Sequence, residues 1–500
     1  MILRPQLKDL KVVGFYLGKM ILGLSLFMII PMIVSLIARE LNPLLDFLIS
    51  FLFCVSAGLL LHIACYTTKD PQWSHGMVVI SLAWLLAALL GAVPLFLSGH
   101  WNSFLDAFFD AMSGLSTTGL TLVQDQSHLS YGHQLWRHLL AFIGGQGIVI
   151  VILAFFVRGG SGAFRLYIGE ARDERLLPNI RRTAQFIWVV SLVYLVLGTL
   201  VLGLAAFGGG ISFWKAMFHG VCIFMAAFDT AGFAPHSQNI MYYHNPAFEL
   251  TTLVIMILGA INFKLHYTVW SGQRWEIWRN IETRSFVAVI LALFALVVLG
   301  LNQTKVYDGA VSMFRKGFYH LLSAQTGTGF QVIYSDQFVS EWTSLSMAGL
   351  ILAMSLGGCV CSTAGAIKML RIGIIAKTFM ADVRRYISPP SAVLIEKLHH
   401  IKQLILTEAQ MRSACLMTIA YVFVYLLGAV AGMLCGYPFM ESLFESTSAA
   451  GNVGLSCGIT SPTMPAALKI TYIVLMWAGR LEFMSIFVLI GSAVALMKGR

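Results

Sequence analysis

Charge is the scarcest thing in this chain. Lysine, arginine, aspartate and glutamate make up 11% of the 500 residues, against 58% hydrophobic residues and a mean hydropathy of +0.79. That balance excludes an ordinary soluble globular domain, in which about a quarter of residues are charged. Apolar runs long enough to cross roughly 30 Å of hydrocarbon recur from end to end, so no stretch remains for a sizeable soluble module. Anything that regulates or energises the protein from the cytosol is then a separate polypeptide. The first apolar run, Val12 to Ala38, has no small-residue cleavage site and is too long for the core of a signal peptide, which makes it a retained helix. A disulfide framework is missing too. Cysteines 54, 65, 222, 359, 361, 415, 435 and 457 are scattered, mostly within apolar runs, and fit packing. Cys359-Val-Cys361 has one intervening residue and no nearby His or Cys, which argues against a metal site. No His-Glu-x-x-His pair occurs and the acids lie near segment ends, leaving an intramembrane enzyme as a remote alternative. The formal charge of +10 forms no nucleic-acid-type basic tract.

What charge there is lies in a pattern. Arginines 158, 165, 172, 175, 181 and 182 share one inter-helix segment, Lys264, Arg274, Arg279 and Arg284 a second, and Lys368, Arg371, Lys377, Arg384 and Arg385 a third. The positive-inside rule makes these cytoplasmic. The intervening loops 122–133, 234–248 and 331–344 carry no Lys or Arg and face outward. Counting from the first basic loop places both termini inside, with Lys498 and Arg500 cytoplasmic. The expected fold is an all-α membrane protein with ten crossings, at 12–38, 43–66, 76–98, 134–157, 184–208, 247–268, 285–302, 344–368, 412–435 and 466–497. The first two form a leading hairpin. The other eight pair around apolar segments too short to cross, 101–116, 212–229, 310–326 and 438–451, each ending in a Gly-bearing turn on the outer side. The resulting units are a hairpin in 1–70 and four parallel helix–pore-helix–helix repeats in 71–165, 180–275, 283–385 and 405–500.

The short segments repeat. MSGLSTTGL (112–120), AAFDTAGF (226–233), LSAQTGTGF (322–330) and TSAAGNVGL (447–455) align on Gly119, Gly232, Gly329 and Gly454, each followed by Leu or Phe. Asp106, Phe109, Asp110 and Ser113 stand at the same offsets from Gly119 as Glu441, Phe444, Glu445 and Ser448 do from Gly454, and Ser323 takes the serine offset in the third copy. Four parallel copies around one axis make a pore. A ring of backbone carbonyls can replace the water that a cation sheds, and glycine reaches the backbone angles this needs at least steric cost. Non-helical backbone at membrane depth is tolerated where it lines such a cavity. The short helices would point their partly negative C-terminal ends at it, which favours a cation. For Asp106, Asp110, Glu441 and Glu445 two readings stand: attraction of cations, or ordinary acids of helix N-termini.

Two further features lie inside crossings. Arg480, mid-way along the last apolar run, costs roughly 2.5–3.5 kcal/mol to insert, so it faces a cavity or pairs with Glu482. Ser355-Leu-Gly-Gly-Cys-Val-Cys-Ser-Thr-Ala-Gly365 resists remaining helical and forms either a loop across the pore or a packing kink.

The four Gly-centred segments, this break followed by Thr363-Ala-Gly-Ala-Ile-Lys368, Ile261-Asn-Phe-Lys-Leu-His-Tyr267 and Gly479-Arg-Leu-Glu482 resemble the Trk/Ktr/HKT superfamily of potassium transporters over nearly the whole chain. The leading hairpin resembles the bacterial Trk membrane subunit more than the shorter Ktr subunit, although the fourth segment has a Ktr-like flavour. The resemblance implies K+ uptake in the cytoplasmic (inner) membrane with no covalent cofactor, a homodimer with one pore per protomer, and a separate cytosolic ring of nucleotide-binding subunits. It implies a filter at Thr117, Thr118, Gly119, Thr230, Ala231, Gly232, Gly327, Thr328, Gly329, Asn452, Val453 and Gly454, and a gate made of Arg480 and the loop glycines Gly357, Gly358 and Gly365. The basic loops then bind the ring or anionic lipid. Two departures stand out. His219 lies thirteen residues before Gly232 while its counterpart His320 lies nine before Gly329, which suggests an extra turn in the second pore helix. Asp229 beside the filter is an unusual charge, and makes proton- or sodium-coupled symport the alternative to a channel driven by membrane potential.

Overall fold

The computed structural model describes residues 7–69, 71–147, 180–304, 306–307, 309–389 and 396–498. Most of the arginine-rich segment, the end of the crossing expected at 134–157, and Arg500 lie outside those residues. The chain is mostly helical. Among the described residues six helices are long and apolar enough to cross a membrane, or eight if two bent pairs each count as one span.

The N-terminal hairpin is α1 (Leu7–Ile37) and α2 (Leu41–Ala64), which pack along their lengths on small residues. Gly18 sits against the Gly58 carbonyl and the His62 backbone, an approach that a side chain at Gly18 would block. α3 (Trp73–Leu97), a short α4 (Phe104–Leu115) and α5 (Tyr131–Gln146) follow. Ser103 caps α4 by accepting the Asp106 amide (3.2 Å), and Ser130 caps α5 by accepting that of His133 (3.2 Å). Next come α6 (Ile180–Gly208), a short α7 (Phe213–Phe228), α8 (Pro246–Ala260) and α9 (Phe263–Trp270), then α10 (Ile281–Thr304). The third short helix begins as Ala310–Met313, passes a π turn at Phe314–Phe318 and ends as α11 (Tyr319–Thr326). α12 (Ser344–Ser355) and α13 (Met369–Ile387) flank an irregular segment. The strands β1 (Lys397–His400) and β2 (Lys402–Ile405) pair antiparallel, before α14 (Glu408–Leu434), a short α15 (Phe439–Gly451), α16 (Ala466–Arg480) and α17 (Met484–Met497).

Among the described residues four expected crossings are not continuous helices. The one at 134–157 is helical only to Gln146 and turns at Gly147, where φ is 91°, and three others are broken. The one at 247–268 bends by 100° between α8 and α9. Its last carbonyls are taken from outside the helix: Ala260 O accepts the Cys359 amide (2.9 Å) and Gly259 O that of Thr363 (3.2 Å), while Asn262 caps the new helix through the Lys264 amide (2.8 Å). The one at 344–368 is helical only to Ser355. The one at 466–497 bends by 111° at a break where Glu482 and Phe483 both have positive φ. The β-hairpin also corrects the expectation of a purely helical chain.

Candidate functional site: a ring of four helix ends

The four short helices end identically. At Thr117, Thr230, Gly327 and Asn452 the backbone turns left-handed, with φ of 56°, 52°, 74° and 55°. The amide of each reaches back three residues, to the carbonyls of Gly114 (2.9 Å), Ala227 (3.3 Å), Ala324 (3.1 Å) and Ala449 (3.2 Å). The next amide reaches back five, from Thr118 to Ser113 (2.7 Å), Ala231 to Ala226 (2.8 Å), Thr328 to Ser323 (2.9 Å) and Val453 to Ser448 (2.9 Å). This pair of bonds is the Schellman termination, which uses two of the last carbonyls of each helix. Glycine and asparagine enter the left-handed region readily, whereas a β-branched residue there is an outlier. Thr117 and Thr230 are such outliers.

The following residue closes the ring. Gly119, Gly232, Gly329 and Gly454 have φ of 90°, 65°, 82° and 95°. A Cβ on Gly119 would fall 2.1 Å from the Ala231 carbonyl oxygen, on Gly232 2.2 Å from that of Thr328, on Gly329 2.1 Å from that of Val453, and on Gly454 2.0 Å from that of Thr118. Each glycine therefore lies under the carbonyl of the next copy, and the fourth returns to the first. The four glycines also line one cavity of about 230 Å³, shared with polar residues such as Thr121, Asn239, Gln331 and Ser456 and with no charged side chain. Gly114, the penultimate residue of the first short helix, packs against Phe233 and Leu140 instead.

Three of the four acids expected near the helix starts, Asp106, Asp110 and Glu445, are buried and partnered, while Glu441 is half-buried. Asp106 pairs with Lys469 (2.6 Å) and Asp110 with Arg137 (3.2 Å). Asp110 and Glu445 also hold the strand leaving the ring. Asp110 Oδ1 accepts the Leu122 amide (2.7 Å), and Glu445 Oε1 the Cys457 amide (3.0 Å). In the third copy His320 Nε2 accepts the Val332 amide (3.1 Å), its Nδ1 being directed at the Lys316 carbonyl (2.6 Å). Each acceptor stands nine residues before the ring glycine and each donor three after it. The second copy has Ile223 and Pro235 at those places, so acceptor and donor are absent together. The third brace was readable from its offset, which matches Asp110 and Glu445 rather than His219. The second copy has no extra turn over the third, contrary to the expectation from His219 and His320: the residues preceding the short helices stand 16, 20, 20 and 16 residues before their glycines, so both middle copies are longer than the outer two. Removing a brace strands a buried amide at a cost of about 1–3 kcal/mol. His320→Leu is expected to lower the unfolding midpoint and weaken ion discrimination, while Glu445→Gln, which keeps an oxygen acceptor, is expected to do less of both; equal losses in paired melting and flux assays would remove the brace.

Residues 356–368 pack against the ring. Gly357 donates its amide to Ile367 O (3.0 Å), and its missing side chain lets the Gly365 carbonyl approach to 2.1 Å of the Cβ position. Gly358 packs on Ala260, and Gly365 on the Gly451 carbonyl and Asn452. The Thr363 hydroxyl lies 2.9 Å from both Phe228 O and Gly259 O, which share its one proton, and accepts from Thr230 Oγ1 (3.3 Å). Arg480 donates to Thr363 O (2.6 Å), Thr117 Oγ1 (3.2 Å), Gly144 O (2.6 Å) and Gly145 O (3.3 Å). One guanidinium thus joins the first ring copy, the loop and α5. Glu482 takes Arg371 of α13 as its partner. Asp229 is fully buried at the end of α7, where Oδ1 accepts from Gln146 Nε2 (2.8 Å) and the carboxylate packs on Gly145 of α5. Gln146, which accepts in turn from Ser191 (2.9 Å), was not singled out from the sequence.

The profile of the TrkH family, described as a cation transport protein, matches residues 44–494. The chain belongs to this family. An uncharacterized cation transporter of Methanocaldococcus jannaschii is 30% identical to this chain, over 97% of it and 96% of the relative. The Trk system potassium uptake protein TrkG of Escherichia coli is 29% identical, over 96% and 97%. The crystal structure of the potassium transporter TrkH from Vibrio parahaemolyticus superposes with a TM-score of 0.81, covering 96% of this chain and 98% of that one at 23% identity, and so shares the fold. Membership of a transporter family, rather than an enzyme family, accords with a Trk-type multi-pass membrane subunit.

Proposed function

We propose that the chain takes up potassium across the cytoplasmic membrane through one gated pore, with the four helix ends as its filter. The cyclic contact of each glycine with the next copy's carbonyl carries this reading. It brings four carbonyl oxygens, those of Thr118, Ala231, Thr328 and Val453, to equivalent positions in a single ring, which is the array that replaces a cation's hydration shell. The uncharged outer cavity supports transfer of a dehydrating ion rather than its capture by a fixed charge. The four ring copies accord with four helix–pore-helix–helix repeats after a leading hairpin, with both termini cytoplasmic by the distribution of Lys and Arg.

In this reading residues 355–365 are the gate and Arg480 its latch. The driving force is the membrane potential, about 2.3 kcal/mol per charge per 100 mV. The family resemblance supports a homodimer with one pore per protomer and a cytosolic nucleotide-binding ring acting on the gate. Flux in vesicles containing the purified chain tests the proposal: K+ current should follow voltage, exceed Na+ current, and not depend on pH. A current that needs a proton or sodium gradient would replace the channel with a symporter.

A further inference from the structure

The loop expected to act as the gate has a second anchor, away from Arg480. Glu282, the second residue of α10, is 1% exposed. Its Oε1 accepts the amide of Val360, in the middle of the loop, at 2.7 Å, and its Oε2 lies 3.4 Å from Asn262 Nδ2. The carboxylate also faces the β-hairpin, where His400 Nδ1, in a side chain 3% exposed, stands 3.7 Å from Oε2 and 3.4 Å from Asn280 Oδ1. The neighbouring His399 bonds Glu276 (2.6 Å). The other flank of the hairpin grips α13, the helix that leaves the loop, through Lys377 on the Lys397 carbonyl and Arg384 on Glu396 (3.1 Å).

We propose that Glu282 is the positioning residue for the middle of the intramembrane loop, and that the hairpin Lys397–Ile405 sets its placement through His400. Two strands alone are marginally stable, so this hairpin takes its position from the elements it grips. A buried carboxylate depends on its partners, and a displacement of the hairpin withdraws one of those around Glu282. The side chain then no longer holds the Val360 amide in place. Because α13 is gripped by the same hairpin, one movement reaches the loop at its middle and at its exit. A force applied at the cytoplasmic surface thereby arrives at the pore without passing through the filter. This deepens the gate reading and rests on it for its effect on flux, but not for its effect on the loop.

Cys359 and Cys361 flank Val360 and are both buried thiols, so they report the position of the loop directly. In full-length protein with the other six cysteines replaced by alanine, reconstituted in vesicles, their reaction with a membrane-impermeant methanethiosulfonate is timed beside K+ and Na+ flux. Glu282→Ala should accelerate labelling at least tenfold and raise K+ flux severalfold at an unchanged K+/Na+ ratio. Glu282→Gln, which keeps an oxygen for the Val360 amide, should fall between it and the parent. His400→Ala should shift labelling in the same direction, and the double variant should add nothing to Glu282→Ala. His400→Gln, which keeps a donor, should restore slow labelling, and all variants are compared only as monodisperse protein. Unchanged labelling in Glu282→Ala overturns the anchor, and unchanged labelling in His400→Ala overturns the link to the hairpin. Faster labelling with unchanged flux supports the anchor while removing the gate reading.

Discussion

Gly119→Ser is expected to abolish most of the preference for potassium over sodium, lowering the permeability ratio tenfold or more. The serine Cβ would stand 2.1 Å from the Ala231 carbonyl oxygen. That atom is backbone, so no side-chain rotation relieves the clash. The residue must also hold φ near +90°, where L side chains are disfavoured by about 1–2 kcal/mol. Either the first copy retreats or the second yields, and both displace an oxygen proposed to coordinate the ion. A change of about 1.4 kcal/mol between the two ions already gives a tenfold change in ratio. Gly114→Ser, in the short helix that leads to Gly119 but facing Phe233 and Leu140, is the control: it should reduce stability and leave the ratio near that of the parent. Bi-ionic reversal potentials in planar bilayers decide the matter, and an unaltered ratio in Gly119→Ser would remove the filter assignment.

Arg480→Ala should raise basal conductance at least tenfold. The guanidinium donates to four oxygens on three separate parts of the chain, and hydrogen bonds to charged groups contribute about 1.5–3 kcal/mol each, though not additively. Removing it frees the Thr363 carbonyl and separates the loop from the first ring copy. Arg480→Lys should open the pore nearly as much, because a single ammonium cannot span the same fork of acceptors. Basal K+ efflux from vesicles without any cytosolic partner is the measurement. Conductance equal to that of the parent would make Arg480 a structural tie rather than a latch.

Repetition made the ring legible, and its absence hid the rest. Gly119, Gly232, Gly329 and Gly454 stand out because four copies share one offset, and the small-residue run at 355–365 announces a break by composition. The bends at Ile261 and Leu481 leave no such mark. Both lie in runs apolar enough to span, and the first is dictated by Cys359 and Thr363, which take carbonyls about a hundred residues away in sequence. Long-range hydrogen bonds of this kind have no local period to betray them. Glu282 was hidden for the same reason, appearing only as one more acid at a helix start. Arg480 was legible as a charge that needed company, but the sequence neighbour Glu482 pairs with Arg371 across the fold.

The circular order of the glycine contacts has a genetic consequence. In a ring where every copy is fitted to the next, no copy can drift alone. A lesion at Gly119 is felt first at Ala231, and compensation for it belongs in the second copy, about a hundred residues downstream, rather than in the short helix that leads to Gly119. Compensation at Gly329 belongs in the fourth copy, and at Gly454 in the first. Suppressor mutations selected for restored growth on low potassium should therefore advance around the ring in one direction, giving the pore a handedness of inheritance that the near-equivalence of its four parts conceals.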